Sequence, residues 1–313
     1  MMKSKQLHLL KIVCISVGMV FTLSQIGCSS EQSSSLQEET EPITVGILIC
    51  MTEDTPFFIS LVEGAREASE RYGIELIILY AHDDPELQGN QIKELTRQGV
   101  SAIILNPVSD SVHPYVEEVA GRGIPIFTID RSLACTCIVS HIASNNFDGG
   151  RMAGVYMAEV LNRKGNIVEL TGTPGSSAAI ERGQGFHQAI SEYPGINVIA
   201  SVSANFNRQD GRVLFKEVLT QYSDIDAVFA HNDDMILGAI ESAKQAGRLN
   251  EIYFVGFDGI EEAIDALENG ELLATIAQRP KEMGKIGVET VIAYLSGKDI
   301  PDTIFIDLAL ILK

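Results

Sequence analysis

The chain has no tryptophan, and aromatic residues make up only 6% of its 313 positions. Any change of shape on binding is therefore silent to tryptophan fluorescence. Cysteine is also scarce. Beyond Cys28 only Cys50, Cys135 and Cys137 remain, too few for a disulfide framework. Cys135-Thr136-Cys137 could close a strained local bridge or, with His141, hold a metal, but it lacks the second paired motif of a zinc site, and the pair is expected as two ordinary loop thiols. Cys50, inside an apolar run, is expected as a small core residue. His141 and His231 have no partner at metal spacing and are expected to be satisfied or exposed; no metal and no cofactor is expected. Residues 172–175 (GTPG) lack the Lys and Ser/Thr of a phosphate-cradling loop. Basic residues are outnumbered, 23 Lys and Arg against 42 Asp and Glu, for a formal net charge of -19. Such a surface repels phosphate backbones, which excludes nucleic acid as a partner.

What is present begins at the start of the chain. Lys3, Lys5 and Lys11 precede an apolar stretch over residues 12–23, which is too short to span a membrane and ends at Ile26-Gly27-Cys28. A basic start, a short apolar core and a small residue at the cut make residues 1–27 a secretory signal. Its removal takes three Lys and makes the charge more negative still. The small residue directly before Cys28 resembles the lipobox of bacterial lipoproteins, with Gln25 where that motif usually has Leu. The resemblance implies a lipidated first residue at Cys28 and a lipid-anchored protein on the periplasmic or outer side of a bacterial membrane. Residues 28–42 are too polar to fold and are expected as a flexible tether reaching on the order of 20 Å.

The remainder exceeds the usual size of one domain. Apolar, β-prone runs alternate with amphipathic stretches, the pattern of parallel sheets with helical crossovers. Strands are expected at 43–49, 75–79, 102–105 and 124–129, then again at 167–170, 197–202, 227–230, 253–255 and 274–277. Between the first two, Thr55-Pro56 offers a helix start; Leu61, Ala65, Ala68 and Tyr72 follow at helical spacing, and Gly73 ends the run. A late helix carries Val288, Val291, Ile292 and Leu295 and stops near Gly297. No internal repeat is visible, so two similar lobes are inferred from element order alone. The expected fold class is α/β, with two doubly wound parallel-sheet lobes.

Several of these runs stop on a hydrogen-bonding side chain. The run 124–129 ends on Asp130 and Arg131, 227–230 on His231 and Asn232, 254–257 on Asp258, and 274–277 on Gln278. In open α/β sheets ligands bind just beyond the carboxyl ends of the strands, so these groups should converge. The set holds carboxylate, amide and guanidinium groups but no obvious nucleophile and base. Planar groups that each serve two neighbouring hydroxyls suit a polyhydroxylated ligand that is held rather than transformed. The chain reads as a sugar binder, not an enzyme.

The segments TPFFISLVEGA, IPIFTIDR, VSHIASNN, SSAAIERGQGF, VFAHNDDMILGA, VGFDG and ATIAQRP stand in this order along the chain. They carry a resemblance, from Ile43 to Lys313, to the ribose-binding proteins of bacterial import systems, in the pentose and hexose branch of type I periplasmic binding proteins. The resemblance implies a three-crossing hinge near Ser144, Gln278 and Ile306. It implies an N-terminal lobe of residues 43–144 plus 279–307, and a C-terminal lobe of 145–278 plus 308–313. Between them a monosaccharide would bind for delivery to the membrane permease of an ABC importer by a monomeric protein. The implied pocket has Phe57, Phe58 and Phe206 against the C–H faces of the sugar. Its polar ligands are Asp130, Arg131, Arg182, Asn232, Asp258 and Gln278. Spacing alone would make Arg182 a solvated charge beside Glu181. The implied arrangement sets Arg131 and Arg182 against Asp130 and Asp258, holding both carboxylates ionised.

Two positions depart from the ribose pattern. Met51 stands where these proteins have Ser, and Thr55 where they have Asn. A ribose hydroxyl served by those groups would lose a partner, at about 1–3 kcal/mol. Another pentose, a deoxy or methylated sugar, or a ketose is thereby kept beside ribose. A sugar-responsive repressor of similar fold would need a basic DNA-reading segment before the first strand, where this chain has a leader and an acidic tether. A ligand-presenting subunit for a chemoreceptor or sensor kinase would use the same closed form as an importer's feeder. A sugar-processing enzyme would need a carboxylate pair poised as acid and base.

Overall fold

The computed structural model describes residues 42–313. The leader, Cys28 and all but the last residue of the tether lie outside the described residues. The chain enters through β1 (Thr44–Ile49), whose interior positions are fully buried, and turns into α1 (Pro56–Tyr72). Pro56 presets the first helical φ, and Gly73 ends the helix at φ 67°. The buried side of α1 holds Phe57, Phe58, Leu61, Ala65 and Ala68. Tyr72 does not continue that stripe. It is 45% exposed and turns its hydroxyl toward Glu289 at 3.5 Å.

The path continues through β2 (Glu75–Tyr80), α2 (Pro85–Gln98), β3 (Ala102–Leu105), α3 (His113–Ala120), β4 (Ile126–Ile129) and β5 (Ile138–Ser144). There follow α4 (Asn146–Val160), β6 (Lys164–Thr171), α5 (Ser177–Ile190), β7 (Gly195–Ser203), α6 (Arg208–Gln221), β8 (Ala227–Ala230), α7 (Asp233–Gln245), β9 (Tyr253–Asp258), α8 (Glu261–Glu268) and β10 (Ala274–Ala277). Last come α9 (Pro280–Leu295), β11 (Thr303–Ile306) and β12 (Ala309–Leu312). Two six-stranded sheets result, ordered β11-β5-β4-β3-β1-β2 and β12-β10-β9-β8-β6-β7. The chain passes between them three times, after β5, after β10 and after β11. Each sheet is cored on both faces. Leu61, Met283 and Val288 lie on one side of the first and Ile92, Leu95 and Val116 on the other. Phe215, Met235 and Phe254 cover one face of the second, and Met157, Phe186 and Phe257 its other face.

Every pairing is parallel except β10 with β12, which is antiparallel. β5, β11 and β12 are not among the expected strands, although β11 (TIFI) and β12 (ALIL) are short apolar runs. In β5 the alternation is broken by Ser140 and His141, whose side chains bond the Pro301 carbonyl at 2.8 Å and the Thr128 hydroxyl at 2.9 Å. That strand exists because β4 and β11 flank it. Cys50 is a core residue, its thiol pushed up to about 12 by burial. Cys135 and Cys137 are not the two free thiols expected. They form a disulfide with Cα atoms 5.1 Å apart, within a turn closed by Ile138 N–H donating to the Cys135 carbonyl at 3.3 Å. No helix among the described residues is long and apolar enough to cross a membrane.

Candidate functional site

In both sheets the strand order reverses beside the first strand, between β1 and β3 and between β6 and β8, which opens a crevice at the carboxyl ends. A cavity of about 410 Å³, counting its solvent-open part, lies there. All eleven residues singled out from the sequence line it: Met51, Thr55, Phe57, Phe58, Asp130, Arg131, Arg182, Phe206, Asn232, Asp258 and Gln278. Met51 and Thr55 come from the loop between β1 and α1, Phe57 and Phe58 from the first turn of α1, and Asp130 and Arg131 from the end of β4. From the other sheet, α5 contributes Arg182, the turn between β7 and α6 Phe206, and the ends of β8, β9 and β10 Asn232, Asp258 and Gln278.

The aromatic walls are held from several sides. Phe57 and Phe58 pack edge to face with centroids 5.1 Å apart. Phe206 carries the guanidinium carbons of Arg131 and Arg182 at 5.1 and 5.8 Å from its ring centre. Its seat depends on Gly172, where an added Cβ would fall 2.0 Å from the ring tip. Asp130 (φ 61°), Phe206 (φ 57°) and Asp258 (φ 121°) all have positive φ. Such conformations cost on the order of 1–3 kcal/mol and persist where the surroundings impose them. All three line this cavity.

Arg182 is not the solvated charge its spacing suggests; it is 2% exposed. Its Nε donates to Asn146 Oδ1 at 2.9 Å, and Nη1 donates to the His231 carbonyl and lies 3.5 Å from Asp258 Oδ1. Its guanidinium also stacks on Phe257 at 3.7 Å. Gln278 Nε2 donates to Asp258 Oδ1 at 2.7 Å, while Gln278 Oε1 is buried without a partner. Asn232 caps α7 by accepting from Met235 N–H at 3.0 Å, and its Nδ2 donates to the Phe206 carbonyl at 3.2 Å. One Nδ2 hydrogen remains for a ligand.

The expected pairing of both carboxylates with arginine needs correction. Asp130 makes no ion pair within 4.0 Å among the described residues; it accepts from Asn106 Nδ2 at 3.0 Å. Arg131 instead reaches the Val108 carbonyl at 3.4 Å. Burial lifts the carboxyls of Asp130 and Asp258 above the usual range and outweighs the opposing pull of the arginines. The arginines moderate that shift without reversing it.

Other residues escaped the sequence reading. Asn106 ties Asp130 to the sheet through the Ile129 carbonyl at 2.9 Å and the Cys50 N–H at 3.2 Å. It stands directly after β3, so the strand-end rule applied to 102–105 would have found it. Asp233, fully buried, accepts from Gly259 and Ile260 N–H at 2.6 and 3.0 Å and from Thr275 Oγ1 at 2.8 Å. It thus fixes the turn after Asp258, and burial raises its carboxyl to about 7. Ala178, Asp234 and Ile260 also line the cavity; Asp234 follows Asn232 closely, whereas Ala178 and Ile260 give no signal in sequence. His231 meets Glu169 Oε1 at 3.0 Å, and His187 meets Oε2 at 3.0 Å. Burial pushes the Glu169 carboxyl up, but the two imidazole hydrogen bonds outweigh it and bring it to about 2. His141 is held through one ring nitrogen, whereas fully buried His231 bonds Glu169 through Nε2 and its Nδ1 has no partner among the described residues.

Residues 45–299 match the family model described as periplasmic binding protein domain. The chain is 38% identical over 267 residues to the ribose import binding protein of Escherichia coli K12, covering 85% of this chain and 90% of that one. A periplasmic solute binding protein of an ABC transporter from Actinobacillus succinogenes, solved with bound D-allose, superposes with a TM-score of 0.81 at 29% identity, covering 87% and 98% of the two chains. The fructose-binding periplasmic domain of a hybrid two-component system superposes with a TM-score of 0.83 at 30% identity over 87% and 91%.

Proposed function

The chain belongs to the periplasmic binding protein family, and from that premise we propose that it is exported, captures one monosaccharide, ribose or a related small sugar, between its lobes, and delivers it to the permease of an ABC importer. The observation that carries this is the cavity in which planar polar groups from strand ends face three phenylalanines. Amide, carboxylate and guanidinium groups share hydroxyl partners, and the rings cover the C–H faces. The relatives are binding proteins, and no catalytic role is assigned to Asp130 or Asp258. We take the lobes as residues 43–144 with 279–307 and 145–278 with 308–313, acting as a monomer.

A thermal-shift panel of monosaccharides followed by calorimetry tests the assignment. A ligand at a thousand times its dissociation constant stabilises the native state by about 4 kcal/mol, enough for a clear rise in melting temperature. The largest rise is expected from an aldopentose or a close relative. Disaccharides should give none, because rings wall the cavity on both sides. A disaccharide or an amino acid at the top of the panel would overturn the proposal. The likeness to a sugar-binding domain of a two-component system favours a second reading, presentation of the closed form to a sensor. A permease and ATPase encoded beside this chain would favour uptake over sensing.

Anchoring through Cys28 belongs to the same proposal and is supported by Gly27-Cys28 following the apolar stretch. Cells fed labelled fatty acid should incorporate it into the wild type and not into Cys28→Ser. Equal labelling of the two would exclude the anchor.

A further inference from the structure

We propose that the wall formed by Met51 and Thr55 selects a small sugar whose edge at that point is C–H or methyl, a deoxy or methylated monosaccharide, over one that turns a hydroxyl there. This deepens the assignment as a sugar binder and rests on it. Met51 is half-buried and packs against the apolar clusters on both sides of the cavity, the one holding Phe57 and Phe58 and the one holding Phe206 and Met235. Ile260 lines the same cavity and packs on the second cluster. The Met51 thioether has no hydrogen to donate and accepts weakly.

Thr55 does not supply the missing donor. Thr52 Oγ1 gives its one hydrogen to Asp54 Oδ1. The contact between Thr52 Oγ1 and Thr55 Oγ1, 3.2 Å long, must then be donated by Thr55. Its hydroxyl hydrogen is consumed, and only a lone pair is left toward the cavity. Asp234 also lines the cavity, but as a carboxylate paired with Arg208 at 2.9 and 3.0 Å it accepts and does not donate. The donors of the site, on Arg131, Arg182, Asn232 and Gln278, all come from other elements. A hydroxyl turned toward Met51 gives up water without regaining a donor, whereas C–H or methyl gains contact with soft apolar bulk.

The test is calorimetry on wild type, Met51→Leu and Met51→Ser with matched probes: D-ribose against 2-deoxy-D-ribose, L-galactose against L-fucose, and L-mannose against L-rhamnose. Comparing within pairs cancels any loss of lobe contact caused by the substitution itself. In at least one pair the deoxy sugar should bind wild type about tenfold or more tighter, the scale of one methyl in an apolar pocket. Met51→Leu should keep that ratio within about threefold. Met51→Ser should erase or invert it by strengthening the hydroxylated partner. Hydroxylated sugars binding wild type as tightly as their deoxy partners would overturn the proposal, as would a preference that survives Met51→Ser. Folded protein that binds no sugar of any pair would overturn this inference, and the function itself falls only if the wider monosaccharide panel is also silent.

Discussion

Replacing Arg182 with Ala is expected to lower sugar affinity between about a hundredfold and a few thousandfold while the protein stays folded. The side chain is buried, lies 3.5 Å from Asp258, and also holds Asn146 and the His231 carbonyl. Truncation removes the cation facing Asp258 in a site where burial already drives that carboxyl upward. Breaking one side of such a buried pair costs about 3–5 kcal/mol. It also removes a guanidinium from the face of Phe206, loosening the aromatic wall. Arg182→Lys should rescue little, since a point charge cannot serve three acceptors with the planar fork of arginine. Calorimetry beside circular dichroism checks both halves. Near wild-type affinity in a folded Arg182→Ala protein would move the site elsewhere.

Gly150→Ala is expected to act on stability first and on binding through it. Gly150 lies on α4 where it meets α5, and a Cβ there would sit 2.0 Å from the backbone carbonyl of Arg182 itself. Backbone cannot rotate away, so the two helices must separate. Overpacking of this kind costs typically about 1–3 kcal/mol. For a chain of this size each kcal/mol lowers the melting temperature by roughly 2–4 °C, so a fall of several degrees is expected without ligand. Because the displaced carbonyl belongs to the turn bearing Arg182, sugar affinity should fall as well. Gly73→Ala offers a comparison: nothing lies within 4 Å of its added Cβ, and its cost comes from φ 67° alone. An unchanged melting temperature for Gly150→Ala would mean that α4 and α5 are not held as closely as the contact implies.

Much of this molecule was legible because its signals are local. Pro56 and Gly73 bound α1 through their own φ preferences, and the runs 102–105, 227–230 and 274–277 are strands at those very residues. Where such a run stops on a polar residue, sheet geometry carries that side chain to the crevice, as with Asp130, Arg131, Asn232, Asp258 and Gln278. The positions of Met51, Thr55, Phe57, Phe58, Arg182 and Phe206 came through the family resemblance, since a charge on a helix and a lone Phe have ordinary explanations.

The partners within the cavity were decided only by the tertiary structure. Asp130 takes its hydrogen bond from Asn106, 24 residues away, and not from the neighbouring Arg131. Asp233 fixes a turn 26 residues further on. β5 becomes a strand through β4 and β11, and β12 runs against its neighbour despite the parallel pattern. Propensity and spacing act over a few residues and can be read in order along the chain. Hydrogen-bond choice, carboxyl desolvation and the wall that Met51 builds across two apolar clusters depend on distances set only when remote segments pack.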